Sequence, residues 1–317
     1  MATKTQKTIL VTGGAGFVGS HLCRRLADAG DKVICVDNLD SGHLDNIADL
    51  AARPNFEFYE QSVEDSLRVS VDQIYHLACP ASPVQYQANP VQTIRTAVFG
   101  TANMLELARD TGAVLLQAST SEVYGDPEIH PQTESYWGRV NPIGPRACYD
   151  EGKRCAETLC FDYRRQYSTA VKVARIFNTY GPNMQTSDGR VVSNLIVQSL
   201  EGRELTVNGG GQQTRSFCYV SDLVRGLDML MNDSGDFSGP INLGNPHEIS
   251  IRELADICTR LTDSASVIVE TAMPDDDPLQ RRPDISLAKE VLGWSPEVSL
   301  EDGLSHTVEW FRCQLGL

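Results

Sequence analysis

The sequence predicts an α/β protein: a doubly wound parallel sheet with helices on both faces, followed by a smaller second α/β domain. Three observations carry this. Short, almost wholly apolar runs alternate with longer helical patterns through the first half, as strands buried on both faces of a parallel sheet require. A glycine-rich turn joins the first run to the first helix. After about Asn178 the alternation gives way to shorter strands mixed with helices. A chain of 317 residues suits two domains at roughly 150 residues each.

Taken in order, TILVT (Thr8 to Thr12) and KVICVD (Lys32 to Asp37) are the first two predicted strands. Between them Val18, Leu22 and Leu26 recur at helical spacing, and Gly30 stands where a left-handed cap is needed. Further strands are predicted over Phe56 to Tyr59, Gln73 to Leu77, Val114 to Ala118 and Val171 to Ile176, with helices over Val91 to Asp110 and Tyr149 to Gln166. In the second half, strands are expected at Leu205 to Val207 and Val267 to Glu270. Helices are expected near Val191 to Leu200, Ile251 to Leu261 and Leu300 to Cys313, and PDDDP (Pro274 to Pro278) reads as a loop. The expected division is 1–178 for the first domain and 179–317 mainly for the second, with 216–245 returning to the first through FCYVSDL and PINLGN.

Composition narrows the class. The 27 Lys and Arg against 42 Asp and Glu give a formal charge of −15, which repels nucleic acid and anionic lipid surfaces. No apolar run approaches the ~20 residues of a membrane span, and the polar start MATKTQK lacks the apolar stretch of a secretion signal. The nine cysteines form no C-x-x-C, so neither a disulfide framework nor a zinc site is implied. A cytoplasmic protein acting on small molecules, without a metal, is the expectation.

Gly13, Gly16 and Gly19 form a G-x-x-G-x-x-G turn between the first strand and its helix, where bare backbone can approach a pyrophosphate at the positive helix end. A tight turn that binds nothing would look the same in isolation. Asp37, 18 residues past Gly19 at the end of the second strand, adds a carboxylate that accepts ribose hydroxyls and repels a 2′-phosphate. A Rossmann-type dinucleotide site for NAD follows. Tyr149 and Lys153 lie one helical turn apart, so an ammonium sits near a phenol and favours its phenolate as a base. Ser119, Thr120, Ser121 and Glu122 follow the predicted strand Val114 to Ala118, at the strand end that lines the crevice of such folds. Hydroxyls there can bond a sugar hydroxyl undergoing oxidation; turn formation is the competing explanation. Cys148 is expected to be a buried structural thiol.

TGGAGFVGSHL, STSEVYGDP, NPIGPRACYDEGKR, RIFNTYGP and QTRSFCYV together resemble the extended short-chain dehydrogenase/reductases acting on nucleotide sugars. Within them the chain is most similar to the UDP-glucuronate decarboxylases (UDP-xylose synthases), through Ser121 between Thr120 and Glu122, ESYWGRVNPIGPRACYDEGKR and DDPLQRRPDI. The resemblance implies NAD-dependent oxidation at the sugar C4, loss of carbon dioxide from the resulting β-keto acid, and re-reduction. It implies Tyr149, Lys153, Thr120, Ser121, Glu122 and Arg281 as catalytic, with Tyr149 taking the C4 hydroxyl proton and Thr120 orienting it. Cofactor contacts are implied for Phe17, Val18, Asn38, Ser41, Gly42, Ser62, Val63, Leu77 and Ala78, together with the glycines, Asp37, Tyr149 and Lys153. Substrate contacts are implied for Pro80, Ser82, Tyr86, Asn178, Arg190, Val207, Arg215 and Arg281. Without the resemblance, each arginine could equally be solvated surface, and Arg281 with Arg282 could pair with Asp275 to Asp277.

Two departures from the family pattern stand out. Asn208 occupies a position where the family has an aromatic that packs on uracil, which leaves a deoxythymidine-linked uronate open; Ser62 replaces an Asp before Val63. The near alternatives on this scaffold are a 4-epimerase and a 4,6-dehydratase. A non-catalytic NAD sensor is the alternative of another class, and it has no use for Tyr149, Lys153 and Thr120. The family also implies a homodimer through a helix bundle, here Val91 to Asp110 and Tyr149 to Gln166; the small apolar stripe Val98, Ala102, Leu105 suits close helix packing, and core burial explains it equally. In so acidic a chain an anionic substrate requires Arg190, Arg215, Arg281 and Lys153 to gather locally: a small basic pocket in an acidic shell is expected.

Overall fold

A computed structural model describes residues 5–272 and 280–317. In chain order the first half forms β1 (Thr8–Thr12), α1 (Phe17–Asp28), β2 (Lys32–Asp37), β3 (Phe56–Glu60), β4 (Gln73–His76), α2 (Pro83–Ala88), α3 (Pro90–Arg95), α4 (Thr101–Thr111), β5 (Val114–Thr120), α5 (Ala147–Tyr167) and β6 (Val171–Ile176). The second half forms β7 (Thr179–Tyr180), α6 (Val191–Leu200), β8 (Leu205–Asn208), β9 (Thr214–Ser216), β10 (Cys218–Tyr219), α7 (Val220–Asn232) and β11 (Ile241–Leu243). It ends with β12 (Glu248–Ser250), α8 (Ile251–Thr262), β13 (Ile268–Thr271), β14 (Gln280–Arg281), α9 (Ser286–Leu292) and α10 (Leu300–Leu315). The loop expected at Pro274 to Pro278, and any pairing of its acids with Arg281 and Arg282, lie outside the described residues.

Seven strands form one parallel sheet in the order β11-β6-β5-β4-β1-β2-β3. The strand order reverses beside β1, the switch point at which such folds bind ligands. Strand alternation divides the core into two layers. Ile9, Val11, Val33 and Cys35 face Leu22 and Leu26 of α1 and Leu223 and Leu227 of α7. Leu10, Ile34 and Val36 face Met104, Leu105 and Leu107 of α4 and Cys160 of α5. A separate cluster joins α6, α8 and α10 to β8 through Leu195, Leu205, Leu254 and Phe311. The return of the chain to the main sheet is carried by β11, which pairs with β6, and by α7, which packs on α1.

Local signals account for the element ends. Gly30, Gly112 and Gly293 take positive φ just past α1, α4 and α9, and Ser250 with Glu253 forms a capping box at α8. One expectation changes: the helix over Val91 to Asp110 is interrupted by a π-helical turn, Thr96–Gly100. The extra residue seats Gly100 against Val63, where a Cβ would come within 2.6 Å of the valine methyl. It also lets Asn103 hold the carbonyls of Val63 and Glu64 at 2.9 and 2.8 Å. Of the expected stripe, Leu105 is fully buried in the core. The exposed apolar side chains on this segment are Val91, Ile94 and Phe99. Among the described residues no helix is long and apolar enough to cross a membrane.

The helix α5 is fixed to the sheet by a buried polar chain. Glu157 accepts from Ser119 Oγ at 2.5 Å and, bidentately, from Arg175 at 2.9 and 2.8 Å. Arg175 continues to the Tyr124 hydroxyl, which donates to Asn242 on β11 at 2.7 Å. Removing one member strands the other charge. Glu157→Ala is expected to destabilise the fold by about 3–5 kcal/mol, measured by denaturant unfolding, whereas Glu157→Gln with Arg175→Met recovers most of that loss.

Candidate active site

Two adjoining cavities open at the carboxyl ends of the sheet strands. The first is built on the β1–α1 turn. Gly13 takes φ +69°, and a Cβ there would lie 2.9 Å from the Ala78 backbone; one on Gly19 would lie 2.0 Å from the Gly13 carbonyl. Gly16 is the N-cap of α1 and offers no side chain, so the helix end is open to a ligand. Asp37 accepts the backbone N–H groups of Ala15 and Leu39 at 3.0 and 2.9 Å, fixing its carboxylate at the rim of this cavity. Burial raises its pKa against those donated bonds.

Of the residues assigned to the cofactor, Gly13, Gly16, Phe17, Val18, Gly19, Asp37, Asn38, Ser41, Ser62, Val63, Leu77 and Ala78 all line this cavity. Gly42 packs against the Asp37 carboxylate, where a Cβ would come within 2.8 Å of Oδ1. These residues fit a dinucleotide: bare backbone at a helix end for pyrophosphate, and an oriented carboxylate for a ribose. Pro80 and Ser82, assigned to the substrate, also line this first cavity. Ser82 Oγ is taken up capping α2 through the Gln85 N–H at 3.4 Å.

The second cavity is lined by Thr120, Ser121, Glu122, Tyr149, Lys153 and the remaining assigned groups Tyr86, Asn178, Arg190, Arg215 and Arg281. The strand β5 runs on through Ser119 to Thr120, so Ser119 turns into the Glu157 network and Thr120 and Ser121 reach the cavity. Lys153 donates to the Ala118 carbonyl at 2.9 Å and lies over the Tyr149 ring, 5.9 Å from its centre. Burial raises the Tyr149 pKa, and a hydrogen bond with Thr120 opposes the rise. Tyr86 stacks on Tyr149 with ring centres 5.1 Å apart and planes 2° from parallel.

Glu122 is held from two sides. Arg281 binds it bidentately, with one contact at 2.7 Å, and Arg146 donates to Oε2 at 2.8 Å. Burial alone would push the carboxyl up; the two guanidinium groups outweigh it and hold its pKa at about 2. Parallel pairing of β14 with β9 sets Arg281 beside Arg215, which explains how residues 66 positions apart reach one wall. Arg190 is gripped by Asp188 at 2.5 and 2.8 Å, stacks over Phe17, and lines both cavities. Among the charged lining residues described, Arg146, Lys153, Arg190, Arg215 and Arg281 share the cavity with the single acid Glu122, a local basic excess in a chain of net charge −15.

Some assignments move. Val207 is fully buried in the second core, because strand alternation turns it inward; its neighbours Thr206 and Asn208 line the cavity instead. Asn208 accepts from Thr271 Oγ1 at 2.6 Å, which ties its amide to β13. Cys148 is half-buried and donates to the Tyr86 carbonyl at 3.5 Å; burial raises its pKa. The sequence reading missed Arg146, one turn ahead of Tyr149 and Asp150, and the anchor Asp188. A positional signal existed only for Arg146, whose spacing from Tyr149 places it at the start of the same helix. Among the described residues no cluster of His, Cys, Asp or Glu has the grouping of a metal site.

Comparison with known proteins adds to this geometry. The family model for GDP-mannose 4,6 dehydratase matches residues 10–307. UDP-glucuronic acid decarboxylase 6 of Arabidopsis thaliana is 58% identical over 310 residues, 98% of this chain and 90% of that protein. UDP-glucuronic acid decarboxylase 1 of Xenopus tropicalis is 55% identical over 315 residues, 99% of this chain and 74% of that protein. Among solved structures, UDP-glucuronic acid 4-epimerase from Bacillus cereus, in complex with UDP-glucuronic acid and NAD, superposes with a TM-score of 0.88 at 28% identity. The match covers 97% of this chain and 99% of that one.

The glycine contacts give an ordered expectation. Gly19→Ala drives a methyl into backbone and should weaken NAD binding about a hundredfold, or ~2.7 kcal/mol. Gly16→Ala, whose nearest atom would be 3.2 Å away, should lose less. Titration calorimetry of both variants checks the order.

Proposed function

The chain belongs to the GDP-mannose 4,6-dehydratase family of extended short-chain dehydrogenase/reductases, and from that premise we infer that it is an NAD-dependent UDP-glucuronate decarboxylase forming UDP-xylose. The observation that carries the reading is Glu122 clamped by Arg281 and Arg146 beside the Thr120–Tyr149–Lys153 group. A cationic pocket next to the sugar acid–base pair suits a hexuronate, whose carboxylate needs charged partners in a dry site.

The first cavity holds NAD, through the glycine turn and Asp37. Bound there, the cofactor supplies reversible hydride acceptance at the sugar C4. Tyr149 takes the C4 hydroxyl proton; the Lys153 ammonium near its ring favours the phenolate, and Thr120 orients the hydroxyl. The C5 carboxylate of the 4-keto sugar is that of a β-keto acid, so its C5–C6 bond breaks with the electron pair passing into the C4 carbonyl. Ser121 contacts the sugar, and Arg281 with Glu122 serves the decarboxylation by stabilising the enolate and handling its proton. Tyr149 returns its proton to the C4 oxygen when the ketone is reduced. Arg190, Arg215 and Asn178 hold the nucleotide diphosphate.

Residues 1–178 with 216–245 form the NAD-binding domain in this reading, and 179–317 mainly the nucleotide-sugar-binding domain. The enzyme acts as a homodimer paired through α3, α4 and α5; the exposed Val91, Ile94 and Phe99 support that face. Its nine unpaired cysteines favour a reducing compartment, the cytoplasm.

Incubation with UDP-glucuronate should release carbon dioxide and yield a UDP-pentose by mass; a product of unchanged mass would sink the reading in favour of epimerisation. Tyr149→Phe should lower kcat by about 10²–10⁴-fold. Phe99→Asp should shift the protein from dimer to monomer on gel filtration.

A further inference from the structure

Asp150 follows Tyr149 in the first turn of α5, is only 6% exposed, and has no role in the chemistry above. Its Oδ1 is buried and, among the described residues, has no hydrogen-bond partner. The charged and titratable groups that act on it come from several elements: Glu122 from the turn after β5, Arg281 from β14, Arg146, Cys148, Tyr149 and Glu151 from its own helix and N-cap, and Tyr86 from α2. A carboxylate oxygen left dry and unbonded beside another carboxylate is costly; a protonated carboxyl is not.

We propose that Asp150, in its protonated form, stores the proton that each decarboxylation consumes: Arg281 gives an N–H proton to C5 of the enolate, and Asp150 restores it by way of the Glu122 carboxylate that bonds Arg281. The inference rests on the decarboxylase reading. The balance of the reaction requires such a store: the uronate carboxylate leaves as neutral carbon dioxide, its electron pair stays on the enolate, and C5 gains a proton to form the C–H bond. Hydride is removed and returned at C4, and Tyr149 takes and returns the C4 hydroxyl proton, so both cycles close on themselves. One proton per turnover must still enter the buried site.

The neighbours are poorly suited to hold it. Glu122 stays ionised at neutral pH with a pKa of about 2, and Tyr149 is committed to the C4 hydroxyl proton that it takes and returns. At Asp150, burial and then Glu122 raise the pKa to about 7, against the pull of Arg146 and Arg281. Such a group exchanges its proton near neutrality and can be refilled between turnovers. Asp150 is thus a positioning and proton-holding residue that acts through Glu122 and Arg281, not one that touches the sugar.

Infrared titration of the resting enzyme should show the carbonyl stretch of a protonated carboxylic acid disappearing with a midpoint near 7, and the same band should be missing in Asp150→Asn. Carbon dioxide release by the wild type should fall along an alkaline limb as the store empties. Asp150→Asn should be slower by at least about tenfold and lack the limb, while Asp150→Glu should restore both. The proposal is overturned if no such band titrates in the wild type, if the Asn variant keeps the wild-type rate and limb, or if the Glu variant is as slow as the Asn variant. Should the Asn variant fail to fold, the wild-type titration and the Glu variant decide alone. Absence of carbon dioxide at every pH, with the band present, would instead remove the decarboxylase reading.

Discussion

The register of α5 against the end of β5 is the constraint on which the site depends. Tyr149, Lys153 and Glu157 recur every four residues, so one stripe of one helix meets Thr120, Ala118 and Ser119 at the end of β5. Lys153 grips the Ala118 carbonyl and Glu157 grips Ser119 and Arg175, which leaves Tyr149 beside Thr120 in the wall of the second cavity. A slip of one residue on the strand would turn Thr120 away from the phenol, because successive strand side chains alternate faces. The network through Arg175, Tyr124 and Asn242 opposes that slip by tying the helix to β6 and β11 as well. Buried ionic groups contribute little net stability; their use here is to fix position.

Electrostatics separate the two cavities along the same boundary. The first presents the open N-terminus of α1 and the carboxylate of Asp37 held by two backbone N–H groups, fit for a dinucleotide. The second gathers five cationic side chains in a protein of net charge −15. Such crowding of like charge requires counterions already in place, which Asp188 supplies to Arg190 and Glu122 to Arg146 and Arg281. Excess acid on the outer surface does not cancel the pocket, since exposed charges beyond ~10 Å are screened while buried ones are not.

Much of this was legible from local pattern. The strand limits Thr8 to Thr12, Lys32 to Asp37 and Val171 to Ile176 are those observed, because a buried parallel strand must be apolar along its whole length. The glycine turn and the Tyr149–Lys153 spacing are likewise local, and each is complete within a few residues. What escaped is long-range or depends on facing. Arg146 and Asp188 matter through partners set by tertiary packing. Val207 lost its assigned place to an alternation whose phase a four-residue strand does not declare. The π-turn at Thr96–Gly100 answers to Val63, more than thirty residues away, and no periodicity in the helix records it. Arg281 entered the sequence reading only through family resemblance; its geometry rests on pairing with Arg215 across two short strands.

Val18, Leu77, Cys79, Ala81 and Arg190 line both cavities, so the boundary between them is thin and mostly apolar. That join is where a sugar C4 would meet a nicotinamide, and its apolar character favours hydride exchange over loss of reactive species to water. The overall reaction is redox-neutral: what is taken from C4 is returned to C4. The first cavity therefore has no stoichiometric need to exchange its occupant during a cycle. Traffic falls on the second cavity, which must admit a trianionic nucleotide sugar and release a less charged one together with carbon dioxide. The distribution of side chains follows that division, with closely packed glycine backbone around the part that stays and long, carboxylate-anchored arginines, Arg190 on Asp188 and Arg146 with Arg281 on Glu122, around the part that leaves. Loss of a carboxylate leaves a product with one negative charge fewer, so in a pocket lined by five cationic side chains the chemical step itself weakens the electrostatic attraction.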